Sequence, residues 1–474
     1  MIAKKKNRTK NIKDFLRKFK KLIWYNYNIM EIKFLGGTST VTGSLYLVKI
    51  GNKEILIDCG LFQGSSFLEE RNFELPEISP EIVILTHAHL DHLGRLPYFF
   101  KNFKKKPIIL STEPTKALAR IILEDSAKIL KEKSEILGRE PIYKVEDLDE
   151  VFNNWRTFSY NQKINFDDFY IEFFDAGHIL GSSFVLIAGK YNLVFSGDLG
   201  NEPSNILNPK QKLPKADFLV VESTYGGRIH EDINSRVEKL EDIIEDILKN
   251  KGVLLIPIFA IEKAQEIIYD IYSLIENYKV PKIPIFLDSP LAIFAFKIYK
   301  DYLNYLKNDA RVFFDKISYI FNKGIVIPVL EHEDSFKIWE VENPKIILAG
   351  SGMSNGGRIV RHEKHYLSFP TTTLLIVGFQ AQGSLGRQIV DGQKNIQIED
   401  QTIEVKAKIQ TLYSYSLHAD QKQILDWIYP QRLNLKEIFL VHGEEDQKEI
   451  LKRKIIDEFA IKVSIPKENE IIKL

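Results

Sequence analysis

Three features of the sequence predict an α/β fold of two domains, one inserted into the other. Short apolar runs repeatedly end in His, Asp or Glu, the stretch from about 253 to 390 alternates strand and helix, and the last 60 or so residues return to the first pattern. A chain of 474 residues also exceeds what one hydrophobic core usually organises. The single cysteine, Cys59, excludes an internal disulfide, and no run reaches the roughly 18 apolar residues of a membrane span, so a soluble, cytoplasmic protein is expected.

The formal net charge is +1, but residues 1–29 hold ten Lys or Arg against one acidic residue, a segment charge of +9 that leaves −8 for the rest. In this basic extension Ile12, Phe15, Leu16, Phe19, Leu22 and Ile23 fall at helical spacing, which describes an amphipathic helix able to contact RNA, an anionic membrane or a partner. The plain alternative is a basic tail preceding a true start at Met30. No apolar core of a signal peptide is present.

From Met30 the body opens with three β-rich runs, Met30 to Leu35, Ser44 to Ile50 and Lys53 to Asp58, separated by glycine turns. A fourth, Ile82-Val83-Ile84-Leu85, reads as a buried parallel strand. Helical spacing follows from Ser111 to about Lys131, and again over most of 133 to 155. A strand at Phe169 to Phe174 leads to Asp175-Ala176-Gly177-His178, a hairpin-like pair leads to Ser196-Gly197-Asp198, and Asp217 to Val221 ends in Glu222-Ser223-Thr224-Tyr225-Gly226. Regular alternation then takes over, with strands at Val253 to Pro257, Ile283 to Leu287, Lys345 to Ala349 and Thr373 to Val377, each followed by a helix. This is a doubly wound unit. The chain closes with Ile438-Phe439-Leu440-Val441-His442, one more strand ending in a ligand-type residue.

The chemistry concentrates in Thr86-His87-Ala88-His89-Leu90-Asp91-His92-Leu93-Gly94, directly after the fourth strand. Carboxyl ends of strands are where α/β sheets keep their sites, and His87, His89, Asp91 and His92 crowd into six residues enough ligands for two metal ions. His178 and Asp198 follow strands in the same manner, although a lone His is usually a core residue and a lone Asp usually a turn. Asp58 reads either as a carboxylate that orients a metal-binding histidine or as an Asx-turn residue. In Gly350-Ser351-Gly352-Met353-Ser354-Asn355-Gly356-Gly357-Arg358 a strand passes through glycines into a helix. Gly352, Ser354, Asn355 and Arg358 are accordingly candidate ligands for a substrate phosphate, the alternative being a tight packing turn.

Taken together, His87-x-His89-x-Asp91-His92, His178 and Asp198 resemble the metallo-β-lactamase fold. The insertion after Glu222-Ser223-Thr224-Tyr225-Gly226, with His418 in Ser416-Leu417-His418-Ala419-Asp420 and His442 in Val441-His442-Gly443-Glu444, resembles its β-CASP branch. That branch holds ribonucleases related to the nuclease subunit of the cleavage and polyadenylation specificity factor. The resemblance implies an αββα sandwich over residues 30–226 and 414–474, with a β-CASP domain inserted at 227–413. It implies two Zn²⁺ ions, one held by His87, His89 and His178, the other by Asp91, His92 and His442, with Asp198 bridging. It further implies catalytic roles for Asp91, Glu222 and His418, with His418 as general acid and Glu222 orienting it. His442 itself points to RNA, because DNA-repair members of the branch typically carry an aliphatic residue there. The implied function is hydrolysis of phosphodiester bonds in single-stranded RNA, endonucleolytic with or without 5′-exonuclease action. The rival readings are a DNA nuclease of the same branch and a non-nuclease hydrolase of the same fold.

Overall fold

A computed structural model of the chain describes residues 30–232, 235–378, 380 and 383–474. The basic extension, its helical pattern and its expected contact with RNA lie outside the described residues. The first strands are β1 (Met30–Gly36), β2 (Leu45–Ile50), β3 (Lys53–Ile57), β4 (Ile82–Ile84), β5 (Ile108–Ser111) and β6 (Trp155–Thr157). After them come β7 (Ile164–Asn165), β8 (Tyr170–Asp175), β9 (Ser183–Ala188), β10 (Asn192–Phe195) and β11 (Phe218–Glu222). The middle of the chain supplies β12 (Val253–Pro257), β13 (Ile285–Asp288), β14 (Ile327–Pro328), β15 (Lys345–Ala349), β16 (Thr372–Ile376), β17 (Asn395–Ile398), β18 (Gln401–Glu404) and β19 (Lys408–Thr411). The end supplies β20 (Glu437–Val441), β21 (Lys462–Ser464) and β22 (Ile471–Lys473).

Two seven-stranded mixed sheets result, ordered β22-β1-β2-β3-β4-β5-β6 and β21-β20-β11-β10-β9-β8-β7. Alternation along each strand decides the layering. Ile82 and Ile84 join Ile32, Phe34, Ile57, Phe173, Val185, Phe195 and Phe439 in a core between the sheets, whereas Val83 and Leu85 face a second cluster under the helices. On the far side Leu219, Val221 and Leu440 pack with Ile424, Ile428, Leu451 and Ile455, which closes the αββα sandwich.

The inserted unit carries a six-stranded parallel sheet ordered β14-β13-β15-β12-β16-β19, with β17 and β18 as a separate hairpin. Its central strand β12 is buried on both faces, Leu254 and Ile256 on one side and Val253 and Leu255 on the other, as a doubly wound sheet requires. The two units share apolar packing. Leu118 and Ile122 of helix Glu113–Leu137 lie in one cluster with Ala292, Ile293 and Phe296 of helix Pro290–Asp301.

The helices between 111 and 155 differ from expectation. The first runs six residues past Lys131 to Leu137 and stops at Gly138 in the left-handed conformation (φ 64°), and a separate helix forms only at Leu148–Asn153, after a short turn at 145–147. Gly138 followed by Pro141 interrupts the apolar spacing that suggested continuous helix.

Candidate metal centre

The ligand-type residues all sit just past strand ends. Asp58 follows β3, His87 follows β4 by three residues, and His178, Asp198 and His442 follow β8, β10 and β20. His89 is extended (φ −74°, ψ 148°), so His87 and His89, two residues apart, fall on one side, while Asp91 and His92 belong to the single helical turn Leu90–Leu93. That turn is stitched to the Asp58 segment by backbone bonds from Cys59 N–H to His92 O (2.6 Å) and Leu61 N–H to Leu90 O (2.8 Å). Gly60 makes the approach possible, since a Cβ there would stand 1.6 Å from the Asp91 carbonyl oxygen.

Two ligand groups meet at Asp198. In the first, His87 Nε2 and His178 Nε2 each stand 3.2 Å from His89 Nδ1, and Asp198 Oδ2 lies 3.4 Å from His87 Nε2 and 3.5 Å from His178 Nε2. Tetrahedral zinc with Zn–N of about 2.0–2.1 Å separates its ligand atoms by about 3.3–3.4 Å, so these spacings fit an ion at the centre. In the second, Asp198 Oδ1 is 3.3 Å from His92 Nε2 and 3.7 Å from His442 Nε2, and Asp91 Oδ2 lies 3.8 Å and 3.7 Å from the same two nitrogens.

Both oxygens of the buried Asp198 carboxylate lack a hydrogen-bond partner, as does buried His92 Nε2. Such orphaned groups are costly in a protein interior unless cations satisfy them. Zn²⁺ suits the donor set of imidazoles and carboxylates.

The surroundings fix the tautomers. Asp58 Oδ2 accepts from His92 Nδ1–H at 2.7 Å, and the Leu417 carbonyl accepts from His178 Nδ1–H at 3.1 Å, which turns each Nε2 inward as the atom that would offer its lone pair to a cation. The Thr86 hydroxyl donates to Asp58 Oδ2 (2.8 Å) and therefore accepts from His87 Nδ1–H (3.0 Å). Asp58 thus orients His92 directly and His87 through Thr86, and the Asx-turn alternative does not describe it. Burial lowers the pKa of His87 to about 4 and of His89 to about 3, and pushes His178 well below the usual histidine range, so all three present neutral nitrogens.

Beside this group His418 Nδ1 meets both Glu222 oxygens at 3.2 Å and lies 4.0 Å from Asp198 Oδ2. A carboxylate only accepts, so Nδ1 carries a proton and Nε2 is free to exchange one. Burial pulls this ring down, but the Glu222 charge and hydrogen bond prevail and raise it to about 9. The His418 and Asp91 side chains, 21% and 18% exposed against 3% or less for His87, His92, His178, Asp198 and His442, mark the side open to solvent.

The glycine loop does not join this assembly. Ser354 is buried and donates to Glu363 (2.6 Å), and Asn355 Oδ1 accepts from Leu385 N–H (3.1 Å). Arg358 engages Asp288 (2.7 Å) and the carbonyls of Val329 (2.9 Å) and Leu330 (2.6 Å). The side chains of Ser354, Asn355 and Arg358 thus shape and anchor the loop, and Gly352 packs against the ring of Phe259. His362 on the same helix is buried between Asp288 and Trp339.

Three supporting residues escaped the sequence reading. Ser44 Oγ meets His442 Nδ1 at 3.0 Å across 398 positions, Thr86 relays Asp58 to His87, and His230 Nε2–H donates to the His418 carbonyl at 2.9 Å. Only Thr86, inside the ligand stretch, carried a signal in the sequence.

Known proteins carry the same elements. The metallo-beta-lactamase superfamily domain matches residues 47–215, the Beta-Casp domain 264–389, and the Zn-dependent metallo-hydrolase RNA specificity domain 402–466. "Ribonuclease TTHA0252" of Thermus thermophilus is 36% identical over 425 residues, covering 88% of this chain and 94% of that protein. "Probable RNase MJ4" of Methanocaldococcus jannaschii is 30% identical over 94% of this chain and 100% of its own length, and "Transcription termination factor FttA" of Pyrococcus horikoshii is 30% identical over 98% and 75%. A solved structure from Enterococcus faecalis V583, titled as a protein of unknown function, shares the fold with a TM-score of 0.55 at 13% identity, over 94% of this chain and 100% of that one. No helix among the described residues is long and apolar enough to cross a membrane. The order of the ligand-bearing strands, the inserted parallel sheet and these relatives agree: the chain belongs to the β-CASP branch of the metallo-β-lactamase superfamily, a family of metal-dependent hydrolases.

Proposed function

We propose that the protein is a two-zinc ribonuclease that hydrolyses phosphodiester bonds in single-stranded RNA. The observation that carries the reading is the convergence of two ligand groups on the two oxygens of one buried aspartate, with the Glu222–His418 pair alongside. The relatives named as ribonucleases supply the substrate class.

His87, His89, His178 and Asp198 would hold one ion, and Asp91, His92, His442 and Asp198 the other. When bound, two Zn²⁺ ions supply Lewis acidity toward the scissile phosphate and lower the pKa of water to about 7. Asp91, at the solvent-facing edge, is placed both to complete the second ligand group and to orient the attacking water. Glu222 fixes the His418 tautomer and its charge favours the protonated ring, so that Nε2–H can be delivered to the departing sugar oxygen. His442, placed in the second ligand group, supports the RNA reading.

The decisive comparison is His418→Ala against His442→Ala. The first should keep both ions and cut roughly 10²–10⁴-fold more slowly, the second should weaken one ion. A substrate with sulfur in place of the leaving oxygen needs little protonation, so it should restore much of the His418→Ala rate and little of the His442→Ala rate. Absence of that selective rescue removes the acid role. Matched RNA and DNA single strands test the substrate class, and a circular RNA, which offers no end, reports endonucleolytic action.

A further inference from the structure

Phe259 follows β12 and is 36% exposed, although it stands at the carboxyl end of one of the two central strands of the inserted sheet. Its ring packs against two glycines. A Cβ added at Gly352 would stand 2.5 Å from the ring, and one at Gly378 would stand 3.6 Å away. Those glycines lie in the loops after β15 and β16, the two neighbours of β12, and Gln380 ties the loops together by donating to Gly352 O (2.9 Å) and Gly378 O (3.3 Å). The result is a braced glycine shelf with an aromatic ring on it, at the sheet end where parallel sheets bind ligands.

The shelf continues into the catalytic wall. Lys263, four residues beyond Phe259, donates to Val377 O (2.9 Å) and to the Tyr415 carbonyl, and the chain then runs through Ser416 and Leu417 to His418. Leu417 O also accepts from His178. A phenyl ring has no hydrogen-bonding group, so it can recognise the face of a base but not its edge. That property suits an enzyme handling unpaired strands of varied sequence.

We propose that Phe259 is a stacking platform for one unpaired base of the RNA, next to the scissile phosphate. This rests on the ribonuclease reading above and adds a base-binding subsite contributed by the inserted domain. It also gives the loop around Gly352 a use that its buried polar groups do not supply: a Cβ there would meet the ring at 2.5 Å, so the missing side chain makes room for it.

The test uses the full chain loaded with zinc, in a His418→Ala background that slows cutting, and a single-stranded oligouridylate with 2-aminopurine walked along its length. One position should show stacking-type quenching. Phe259→Ala should abolish that quenching and weaken the Kd by about 5- to 150-fold, the range of ~1–3 kcal/mol for one base–aromatic stack. Phe259→Trp should preserve both signals, and Phe259→Leu, which keeps apolar bulk, should lose the quenching. An abasic nucleotide at the quenched position should weaken binding to the Phe259 protein but not weaken Phe259→Ala further. Full affinity and quenching with Leu, or additive losses from the abasic site and Ala, would overturn the platform while leaving the nuclease intact. A protein with His418 present that neither binds nor cuts the RNA would remove both readings.

Discussion

Replacing Asp58 by Asn exchanges one acceptor for a donor and separates the two metal groups. Asp58 Oδ1 accepts from Thr86 N–H at 2.8 Å and lies 3.1 Å from the Thr86 hydroxyl, while Oδ2 accepts from His92 Nδ1–H at 2.7 Å. An Asn must keep its oxygen toward the Thr86 amide, which turns its NH₂ toward His92 Nδ1. Two N–H groups cannot face each other at that distance, so the imidazole shifts its proton to Nε2, the atom 3.3 Å from Asp198 Oδ1. A ligand lone pair becomes a donor in the second group. In the first group the Thr86 hydroxyl loses its acceptor at Oδ2 but can turn its hydrogen to the remaining oxygen, 3.1 Å away, so His87 keeps its tautomer. Zinc affinity should therefore fall about 10–100-fold at one site, about 1.4–2.7 kcal/mol, with the other site unchanged. Equilibrium dialysis against chelator-buffered zinc, followed by a metal count, should give one tight ion per chain and one weakened. Two ions at wild-type affinity, or equal weakening of both, would refute the tautomer argument.

Further outcomes are expected. Burial raises the Glu363 carboxyl to about 8, so the folded chain holds a proton that the unfolded chain has released above its ordinary 4.5. Its stabilising effect is complete below that value and is lost as pH rises toward 8, with a slope of up to about 1.4 kcal/mol per pH unit. Denaturant titrations of Glu363→Gln should lack this slope, and an unchanged slope would place the titration elsewhere. His230→Phe retains a ring beside Tyr225 but no donor for the His418 carbonyl, and should lower kcat roughly tenfold with both ions in place. In a His418→Ala background it should cost nothing more, and the same tenfold loss there would mean that His230 does not act through His418. Gly60→Ala should destabilise by about 3 kcal/mol or more in urea unfolding, because the new Cβ meets the Asp91 backbone; a loss under about 1 kcal/mol would show that the turn yields easily.

Much of the site was legible in the sequence because its ligands follow short apolar strands, and a strand end is a local feature. His87, His89, Asp91 and His92 are neighbours in sequence, and their spacing alone called for metal. His178, Asp198 and His442 read as single residues after strands until the family resemblance ordered them. The inserted sheet was visible for the same kind of reason, since its strands β12, β13, β15 and β16 are continuous apolar runs separated by helical spacing. The end of helix Glu113–Leu137 was less legible, because apolar periodicity persists through a glycine that stops the backbone.

What only the tertiary structure decided are contacts between distant segments. Ser44 reaches His442, Leu417 reaches His178, and Glu222 reaches His418 across 196 positions. None leaves a local periodicity, because each depends on how two sheets stack and how the inserted domain returns the chain. The glycine loop shows the converse. Strand, glycines and helix suggested a phosphate cradle, yet Ser354, Asn355 and Arg358 turn to Glu363, Leu385 and Asp288. Local sequence determines which backbone shapes and donor atoms are available, and packing determines what those atoms face.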